Sequence, residues 1–398
     1  MKLSYLSKTA GIGGSLKTAC EDFLVEEIEE DGTVLELDKP YAQKDVAGQF
    51  TWFVLQKKEW TSEGALRRIA DAFHVGHQRF SYAGTKDKMA ISTQLVSAFS
   101  IPKENLLSLQ LKDIKILGAW SAADKVKLGQ LLGNRFTIRV AGAGKNANAT
   151  VKKISKELGG AFPNYFGEQR FGSARRNTHI IGENLIRGRA DLAVTEFLCS
   201  WEGEKRQEAV DARKNLKTSG DFGRALHEFP QSLRLERSML AHLQQHQRDY
   251  HGALRKLPRS ILLLFIHAFQ SHIFNEMLSR RIAEGELEKE EGEYYCGESL
   301  GFPDLEKKSR KKKWLAGRLV GYETVPNERE KYLLEEFLVK PADFKIKSMP
   351  EVSSKGTNRL LLAPLKDFSF KKDTFSFSLP SGCYATVAMR EFTDGDKK

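Results

Sequence analysis

The chain has 398 residues and a mass of 44.9 kDa, which exceeds the size of one typical hydrophobic core and predicts two domains. Hydrophobic residues make up 40% of the chain and charged residues 29%, a balance that excludes an intrinsically disordered protein. Lysine and arginine number 63 against 52 for aspartate and glutamate, and the resulting net charge of +11 favours an anionic partner such as a nucleic acid.

Signals for export or membrane insertion are missing from the pattern of apolar residues. Residues 1–14 contain no apolar stretch of signal-peptide length, and the longest apolar stretch, residues 261–266, is too short to cross a bilayer. The four cysteines are far apart and form no CxxC pair, so neither a zinc site nor a disulfide framework is expected. We therefore expect a cytoplasmic protein that does not bind a membrane.

The first candidate motif, residues 11–18, approaches a phosphate-binding P-loop. A P-loop needs a glycine immediately before its lysine and a buried strand in front of the loop. Here Leu16 precedes Lys17, and residues 1–10 do not form a strand pattern. A P-loop ATPase is therefore disfavoured, and it would require ATP binding through Lys17.

The first 160 residues alternate between strand and helix patterns. Runs of β-branched and aromatic residues predict strands at 22–28, 49–55 and 131–140. A helix pattern begins at a capping residue, Thr61 or Ser62. A second helix is predicted over 151–158, after a turn of small residues at 141–150. This part of the chain is thus mixed α and β.

Helical periodicity dominates the middle of the chain. Between about residue 180 and residue 284, apolar residues recur at spacings of three and four, and Pro258 marks the start of one long helix. Beyond residue 356 strand alternation returns, with Phe375 and Phe377 on one side. We therefore predict an α+β protein in which both chain ends form a sheet domain and a mainly helical domain is inserted between them.

A lysine-flanked aspartate lies in a short connection between two predicted strands. Asp87 stands between Lys86 and Lys88, after a strand pattern that begins at Phe80 and before another that begins at Ala90. Such a triplet is often a solvated turn. Alternatively, the flanking cations hold the carboxylate ionised, so that it can serve as a nucleophile or a base.

A second segment, residues 163–178, interleaves aromatic residues, arginines and glycines. Aromatic rings stack on nucleic-acid bases, and arginines pair with phosphates. The same composition also suits an aromatic packing corner. The segment alone therefore leaves both RNA contact and internal packing open.

Together these segments resemble the TruD family of pseudouridine synthases, and the resemblance spans nearly the whole chain. The string NYFGEQRFG at 164–172 is the most specific mark. The other marks, in the family's order, are Lys17 with EDF at 21–23, GTKDKMA at 84–90 with Thr93 and Gln94, GNRF at 133–136, HAFQSHIFN at 267–275, and LPSGCYAT at 379–386 with Arg390 and Glu391.

The resemblance implies an activity and a domain plan. Family members convert a uridine in RNA to its C-glycoside isomer, chiefly the position-13 uridine of certain transfer RNAs, without cofactor or metal. The implied catalytic domain has a pseudouridine synthase fold with a mixed, mainly antiparallel sheet, formed by residues 1–160 and 344–398. Residues 161–343 would form an inserted, mainly helical TRUD domain that contributes to a basic RNA-binding cleft. We expect a monomer whose partner is transfer RNA, with other RNAs open as substrates.

The same resemblance implies roles for individual residues. Asp87 would be the catalytic aspartate, supported by Lys17 and Lys86. The residues implied at the target base are Phe23, Asn134, Phe136 and Tyr384, the last of which stands where the family commonly has phenylalanine. The arginines expected to contact RNA are Arg170, Arg175 and Arg176. A basic run at 307–313 suits either an RNA-facing loop or a solvated one.

A non-catalytic RNA chaperone with the same architecture is the rival from another functional class. It predicts loss of the aspartate or of its lysine, whereas both Asp87 and Lys17 are present. No cysteine or paired carboxylate is spaced from the histidines so that it could complete a metal site. The sequence therefore favours a cofactor-free enzyme that acts on RNA.

Overall fold

The computed structural model describes residues 3–172 and 174–394 and divides them into two compact units. The sheet unit contains residues 5–164, 297–304 and 362–394. The helical unit contains residues 165–296 and 305–361, together with residues 3 and 4. Ser173 and the predicted domain limits at residues 1 and 398 lie outside the described residues.

The secondary structure follows the chain through both units. Up to residue 164 the elements are β1 (Phe23–Ile28), β2 (Phe50–Lys58), α1 (Ser62–Ala72), β3 (Phe80–Tyr82), β4 (Ile91–Phe99), α2 (Lys103–Leu107), β5 (Ile114–Ala122), β6 (Gly133–Arg139), α3 (Ala147–Leu158) and β7 (Ala161–Pro163). The next are α4 (Thr178–Ile186), α5 (Ala190–Cys199), α6 (Gln207–Ser219), α7 (Phe222–Glu228), α8 (Arg234–Gln245), α9 (Tyr250–Leu254), α10 (Arg259–Glu284), β8 (Tyr294–Ser299), β9 (Phe302–Lys308), β10 (Trp314–Leu319), α11 (Glu328–Glu336) and β11 (Thr357–Leu360). The chain closes with β12 (Leu362–Pro364), β13 (Lys366–Lys371), β14 (Thr374–Pro380) and α12 (Ala385–Thr393).

The main sheet of the sheet unit has eight strands from both ends of the chain. Its order is β13-β14-β6-β1-β4-β2-β5, with β3 paired to β4. Strands β1 and β4 run parallel, and the other described pairs in this sheet are antiparallel. The predicted α+β architecture with a mixed, mainly antiparallel sheet is therefore confirmed.

Strand β2 is apolar on both faces because both faces of the sheet are covered. Phe53 and Leu55 pack with Leu66 and Ile69 of α1, whereas Val54 points into a second cluster on the other face. Helix α1 begins where the sequence predicts it, because the Thr61 side chain accepts a hydrogen bond from the Gly64 N–H at 3.0 Å. These contacts place the start of α1 against the sheet.

Helix α3 begins at Ala147, four residues before the predicted helix start at Val151. The small residues of this segment resemble a turn in the sequence, but alanine is also the best helix former. Ala147 is buried and therefore joins the core as the first helical residue. The small side chains thus belong to the helix and not to the preceding turn.

The helical unit is organised around α10, which begins after Pro258 as predicted. By length and composition this helix could cross a membrane, with a mean hydropathy of 1.3 over 18 residues. However, 67% of that window is buried inside the protein, as in a core helix. Two buried ion pairs, Arg213 with Glu236 at 2.6 Å and Arg281 with Glu293 at 2.5 Å, add polar contacts to this unit.

Candidate active site

Asp87 lies in the loop between β3 and β4, as the sequence predicts, and its carboxylate is paired with a lysine from far away in the chain. Lys17 Nζ donates a hydrogen bond to Asp87 Oδ2 at 2.5 Å. The Lys17 side chain is 19% exposed and that of Asp87 is 34% exposed, so the pair is partly shielded and yet reachable. Two of the predicted site residues, 70 positions apart, therefore meet.

The backbone around Lys17 is held by a buried carboxylate. Lys17 adopts a left-handed conformation with φ of 57°, which is unfavourable for a residue with a Cβ and persists where the surroundings enforce it. Asp22 accepts hydrogen bonds from the Thr18 hydroxyl at 2.5 Å, the Ala19 N–H at 2.9 Å and Arg139 Nε at 2.6 Å. The Thr18 hydroxyl above all, and then Arg139, hold the pKa of Asp22 below its usual value, against the effect of burial. This carboxylate fixes the turn that presents Lys17.

Aromatic side chains line the face of the sheet beside the ion pair. Lys17 Nζ lies 4.2 Å from the centre of the Phe23 ring, a cation–π contact. The Phe23 ring meets the Phe136 ring edge-on, with 6.1 Å between ring centres, and Phe136 in turn contacts Phe377 at 5.8 Å. Phe23 and Phe136 are only 3% and 7% exposed.

Asn134 lies on the same face as Phe136, two residues earlier in β6. A Cβ on the neighbouring Gly133 would lie 2.2 Å from the Leu379 carbonyl oxygen, so only glycine allows β14 to approach β6 this closely. Lys86 Nζ donates a hydrogen bond to Asn134 Oδ1 at 2.6 Å and pairs with Glu27 Oε2 at 2.5 Å. Lys86 therefore connects the Asp87 loop to strands β1 and β6.

The start of α1 holds the same loop. The Lys86 N–H donates to Ser62 Oγ at 2.9 Å, and that hydroxyl donates to Gln94 Oε1 at 2.6 Å. Because Ser62 is the first residue of α1 and Gln94 belongs to β4, this bridge ties the loop to both elements. The helix start and the strand thus limit where Asp87 can move.

Lys57 is a site residue that the sequence motifs did not reveal. Its Nζ donates a hydrogen bond to the Asp87 main-chain oxygen at 2.8 Å, and the residue has no exposed surface. Burial lowers the pKa of Lys57 to about 8, although the Asp87 charge acts in the opposite direction. A usable signal was present, because Lys57 follows Phe53 and Leu55 at strand spacing and thus falls on their buried face.

Tyr384 lies at the end of β6 that carries Asn134. It precedes α12, four residues after β14, whose Leu379 is the partner of Asn134 in the sheet. The Cys383 N–H donates to the Pro380 carbonyl at 3.3 Å, which closes the turn between strand and helix. The structure thus places Tyr384 half-buried near this end of the strand.

The three predicted RNA-contacting arginines occupy different environments in the helical unit. The Arg170 guanidinium lies 5.2 Å from the centre of the Phe166 ring. Arg175 is 15% exposed and donates to the Phe197 carbonyl at 2.6 Å, and burial lowers its pKa to about 10. Arg176 is 62% exposed and pairs with Glu168 at 2.7 Å. Arg176 is therefore exposed, whereas Arg170 and Arg175 are half-buried.

The backbone of the P-loop-like segment is used for internal hydrogen bonds. Gly11 N–H donates to Asp394 O, Ile12 N–H to Phe392 O, Gly13 N–H to Thr393 O and Ser15 N–H to Ala141 O, at 2.8 to 3.0 Å. A P-loop instead directs such N–H groups at phosphates. In residues 3–172 and 174–394, no group of three or more histidine, cysteine, aspartate and glutamate side chains could hold a metal ion.

The arrangement suits chemistry at the bond between a sugar and a planar base. A carboxylate paired with an ammonium group can stabilise positive charge that develops on a sugar carbon during cleavage of a glycosidic bond. The neighbouring aromatic rings and the amide of Asn134 offer stacking and hydrogen bonding to a base. The same face of the sheet thus combines both requirements.

Comparisons with known proteins identify the family of this chain. The family model of tRNA pseudouridine synthase D (TruD) matches residues 2–392. The chain is 39% identical over 355 residues to a Methanopyrus kandleri protein described as tRNA pseudouridine synthase D, covering 86% of this chain and 85% of the relative. It is 32% identical over 426 residues to the protein of that description from Methanosarcina mazei, covering 98% and 95%.

A solved structure shows the same fold. The chain superposes on a crystal structure of tRNA pseudouridine synthase D from Methanosarcina mazei with a TM-score of 0.75 and 31% identity. The match covers 99% of this chain and 97% of the crystallised one. The chain therefore belongs to the TruD family of tRNA pseudouridine synthases and is an isomerase that acts on uridine.

Proposed function

We propose that this enzyme converts the position-13 uridine of transfer RNA to pseudouridine and that Asp87 is its catalytic carboxylate. The observation that carries the proposal is the 2.5 Å pair between Lys17 and Asp87, formed by two separate family motifs. An ammonium group at this distance favours the ionised carboxylate. The pair thus presents a carboxylate with a cation beside it to the substrate.

The reaction balances within the substrate. The bond between ribose C1′ and uracil N1 breaks, the detached base turns, and a bond forms between C1′ and C5. A proton leaves C5 and a proton is gained at N1, so neither an oxidant nor a second substrate is required. Asp87 would act at the sugar carbon, at the base or on the C5 proton, and each route needs its carboxylate near the target nucleotide.

The target base would have to leave its stack to reach Asp87, which costs a few kcal/mol. Phe136 and Phe23 lie beside the Lys17–Asp87 pair. Tyr384 lies near the end of β6 that carries Asn134. We propose that these rings replace the lost stacking and that Asn134 binds the edge of the base. Because Phe136 is nearly covered, its neighbours would have to move aside when the base enters.

Transfer RNA would also contact the helical unit, which we propose to be the TRUD domain. Arg176 and the basic run at 307–313 are the proposed contacts with phosphates. Arg170 is proposed to reach RNA from its place on the Phe166 ring. For Arg175, the bond to the Phe197 carbonyl supports a role in internal packing.

The purified protein should be incubated with a transfer RNA transcript that carries tritium at C5 of its uridines. We expect tritium release that disappears when the position-13 uridine is replaced by cytidine. Release that persists in the replaced transcript would place the target elsewhere in the RNA. Tight binding without any release would contradict the proposed enzyme and favour the RNA chaperone.

A further inference from the structure

The buried contacts of Lys86 determine which way the Asn134 side chain faces. Lys86 Nζ lies 2.5 Å from Glu27 Oε2 and 2.6 Å from Asn134 Oδ1. The side chains of Lys86 and Glu27 are only 4% and 1% exposed, so water cannot easily take the place of either partner. Glu27 is itself held, because its Oε1 accepts a hydrogen bond from the Leu95 N–H at 2.9 Å.

An ammonium group has only donors, and this decides the orientation of the amide. The oxygen and nitrogen of an asparagine side chain are nearly alike in shape, so their assignment depends on their partners. Against Lys86 the amide must present its oxygen, because the NH₂ group would bring two donors together. The Asn134 NH₂ group is thereby turned away from Lys86, and within the described residues no acceptor is bonded to it.

We propose that Glu27 and Lys86 are positioning residues that make Asn134 a hydrogen-bond donor to O4 of uracil and thereby select uridine over cytidine. This inference rests on the proposed function, in which Asn134 meets the edge of the target base. Uracil has a carbonyl oxygen at position 4, which accepts a hydrogen bond, whereas cytosine has an amino group there, which donates one. A fixed NH₂ group therefore matches uracil and opposes cytosine.

The selectivity requires the whole chain of contacts and not Asn134 alone. A freely rotating amide could turn its oxygen to the amino group of cytosine and accept both bases. With Lys86 in place, that rotation would break a charge-assisted hydrogen bond. A buried donor that faces another donor stays unpaired, which corresponds to roughly 10- to 100-fold discrimination.

Sulfur substitution in the RNA tests the contact on the unaltered protein. Sulfur accepts hydrogen bonds weakly, so 4-thiouridine at the target position should lower the single-turnover rate about tenfold or more. With 2-thiouridine there, the rate should stay within about threefold of uridine. Equal rates with uridine and 4-thiouridine would overturn the inference while leaving the proposed function intact. No turnover of uridine itself would instead contradict the proposed function.

Variants of Lys86 then test the positioning role through a ratio of affinities for transfer RNA that carries uridine or cytidine at the target position. In Lys86→Met the preference for uridine should fall towards one, because the freed amide can turn its oxygen to the amino group of cytosine. Lys86→Arg keeps a donor-only group and should keep the preference, even if both affinities are lower. Lys112→Met, at an exposed lysine of the sheet unit, serves as the control. A Lys86→Met protein with a lower turnover rate and an unchanged preference would show a merely structural role and overturn the proposal.

Discussion

Lys57 Nζ donates a hydrogen bond to the Asp87 main-chain oxygen at 2.8 Å from a fully buried position. The cationic group thus holds the backbone of Asp87, while Lys17 holds its carboxylate. The pKa of Lys57 is lowered by burial to about 8, with Asp87 opposing this shift and Lys86 adding to it. The hold on the loop should therefore depend on pH.

The first prediction concerns this pH dependence. Above pH 8 the neutral amine is a weaker donor, so the single-turnover rate should decline as the pH rises through 8. In Lys57→Met the rate should be about tenfold lower, since a charge-assisted hydrogen bond contributes roughly 1.5–3 kcal/mol, and this alkaline decline should be absent. A decline of equal size and midpoint in the variant would assign it to another group.

Stability gives an independent reading of the same group. Between pH 8 and the ordinary lysine pKa of 10.5, the unfolded chain binds more protons at Lys57 than the folded chain does. The free energy of unfolding of the wild type should therefore rise relative to that of Lys57→Met as the pH increases through this range. Chemical denaturation of both proteins at pH 7.5 and pH 10 measures the difference. A difference that moves the other way would contradict the lowered pKa.

The second prediction concerns Lys17. Lys17→Met should lower turnover about 10- to 100-fold, because a charge-assisted hydrogen bond to a carboxylate contributes roughly 1.5–3 kcal/mol. Affinity for RNA should change less than threefold, since the pair acts at the reacting nucleotide. Single-turnover kinetics with a binding titration separate the two effects, and the exposed Lys8→Met is the control. A loss seen only in affinity would assign Lys17 to phosphate binding.

The third prediction separates the aromatic rings at the base. Phe136→Ala should lower turnover at saturating RNA by at least tenfold, because stacking on a base is worth roughly 1–3 kcal/mol. Tyr384→Phe keeps the ring and should leave turnover at saturating RNA nearly unchanged. Single-turnover rates should be compared on intact transfer RNA and on a short unstructured oligonucleotide. A large loss of the single-turnover rate in Tyr384→Phe would mean that the Tyr384 hydroxyl has its own role.

The fourth prediction concerns the charge of the helical unit. RNA binding should weaken steeply as the salt concentration rises. In the triple variant Arg176→Gln, Lys311→Gln, Lys312→Gln, the slope of the logarithm of the binding constant against the logarithm of the salt concentration should become shallower by about 0.7 to 0.9 for each lost phosphate contact. Arg175→Gln should instead lower the melting temperature, because its guanidinium bonds the Phe197 and Ser200 carbonyls. An unchanged slope in the triple variant would mean that Arg176, Lys311 and Lys312 make no phosphate contact and face solvent.

Sequence patterns predicted the features that depend on local chemistry. The start of α1 at Thr61, the long helix after Pro258 and the alternation in β14 follow from caps and side-chain periods, and all are present. The location of Asp87 between two strands follows from the same patterns. The early start of α3 did not follow from these patterns, because it depends on the burial of Ala147 in the folded chain.

The contacts within the site needed the folded chain. The family motifs name Lys17, Lys86 and Asp87, but the ion pair from Glu27 to Lys86 depends on how β1 and the Asp87 loop meet. Lys57 belongs to no quoted motif, and its significance comes from a buried hydrogen bond to a residue 30 positions away. Sequence spacing carries no direct record of such long-range contacts.

The most direct measurement of the central claim is turnover by Asp87→Asn, which removes the charge and preserves the volume of the side chain. Tritium release from C5-labelled transfer RNA should be followed under single-turnover conditions, with Asp71→Asn, an exposed residue of α1, as the matched control. We predict that Asp87→Asn releases no tritium above background while its RNA affinity stays within a few-fold of the wild type and of the control. Release by the pure variant at a rate near that of the wild type would contradict the assignment of Asp87 as the catalytic carboxylate.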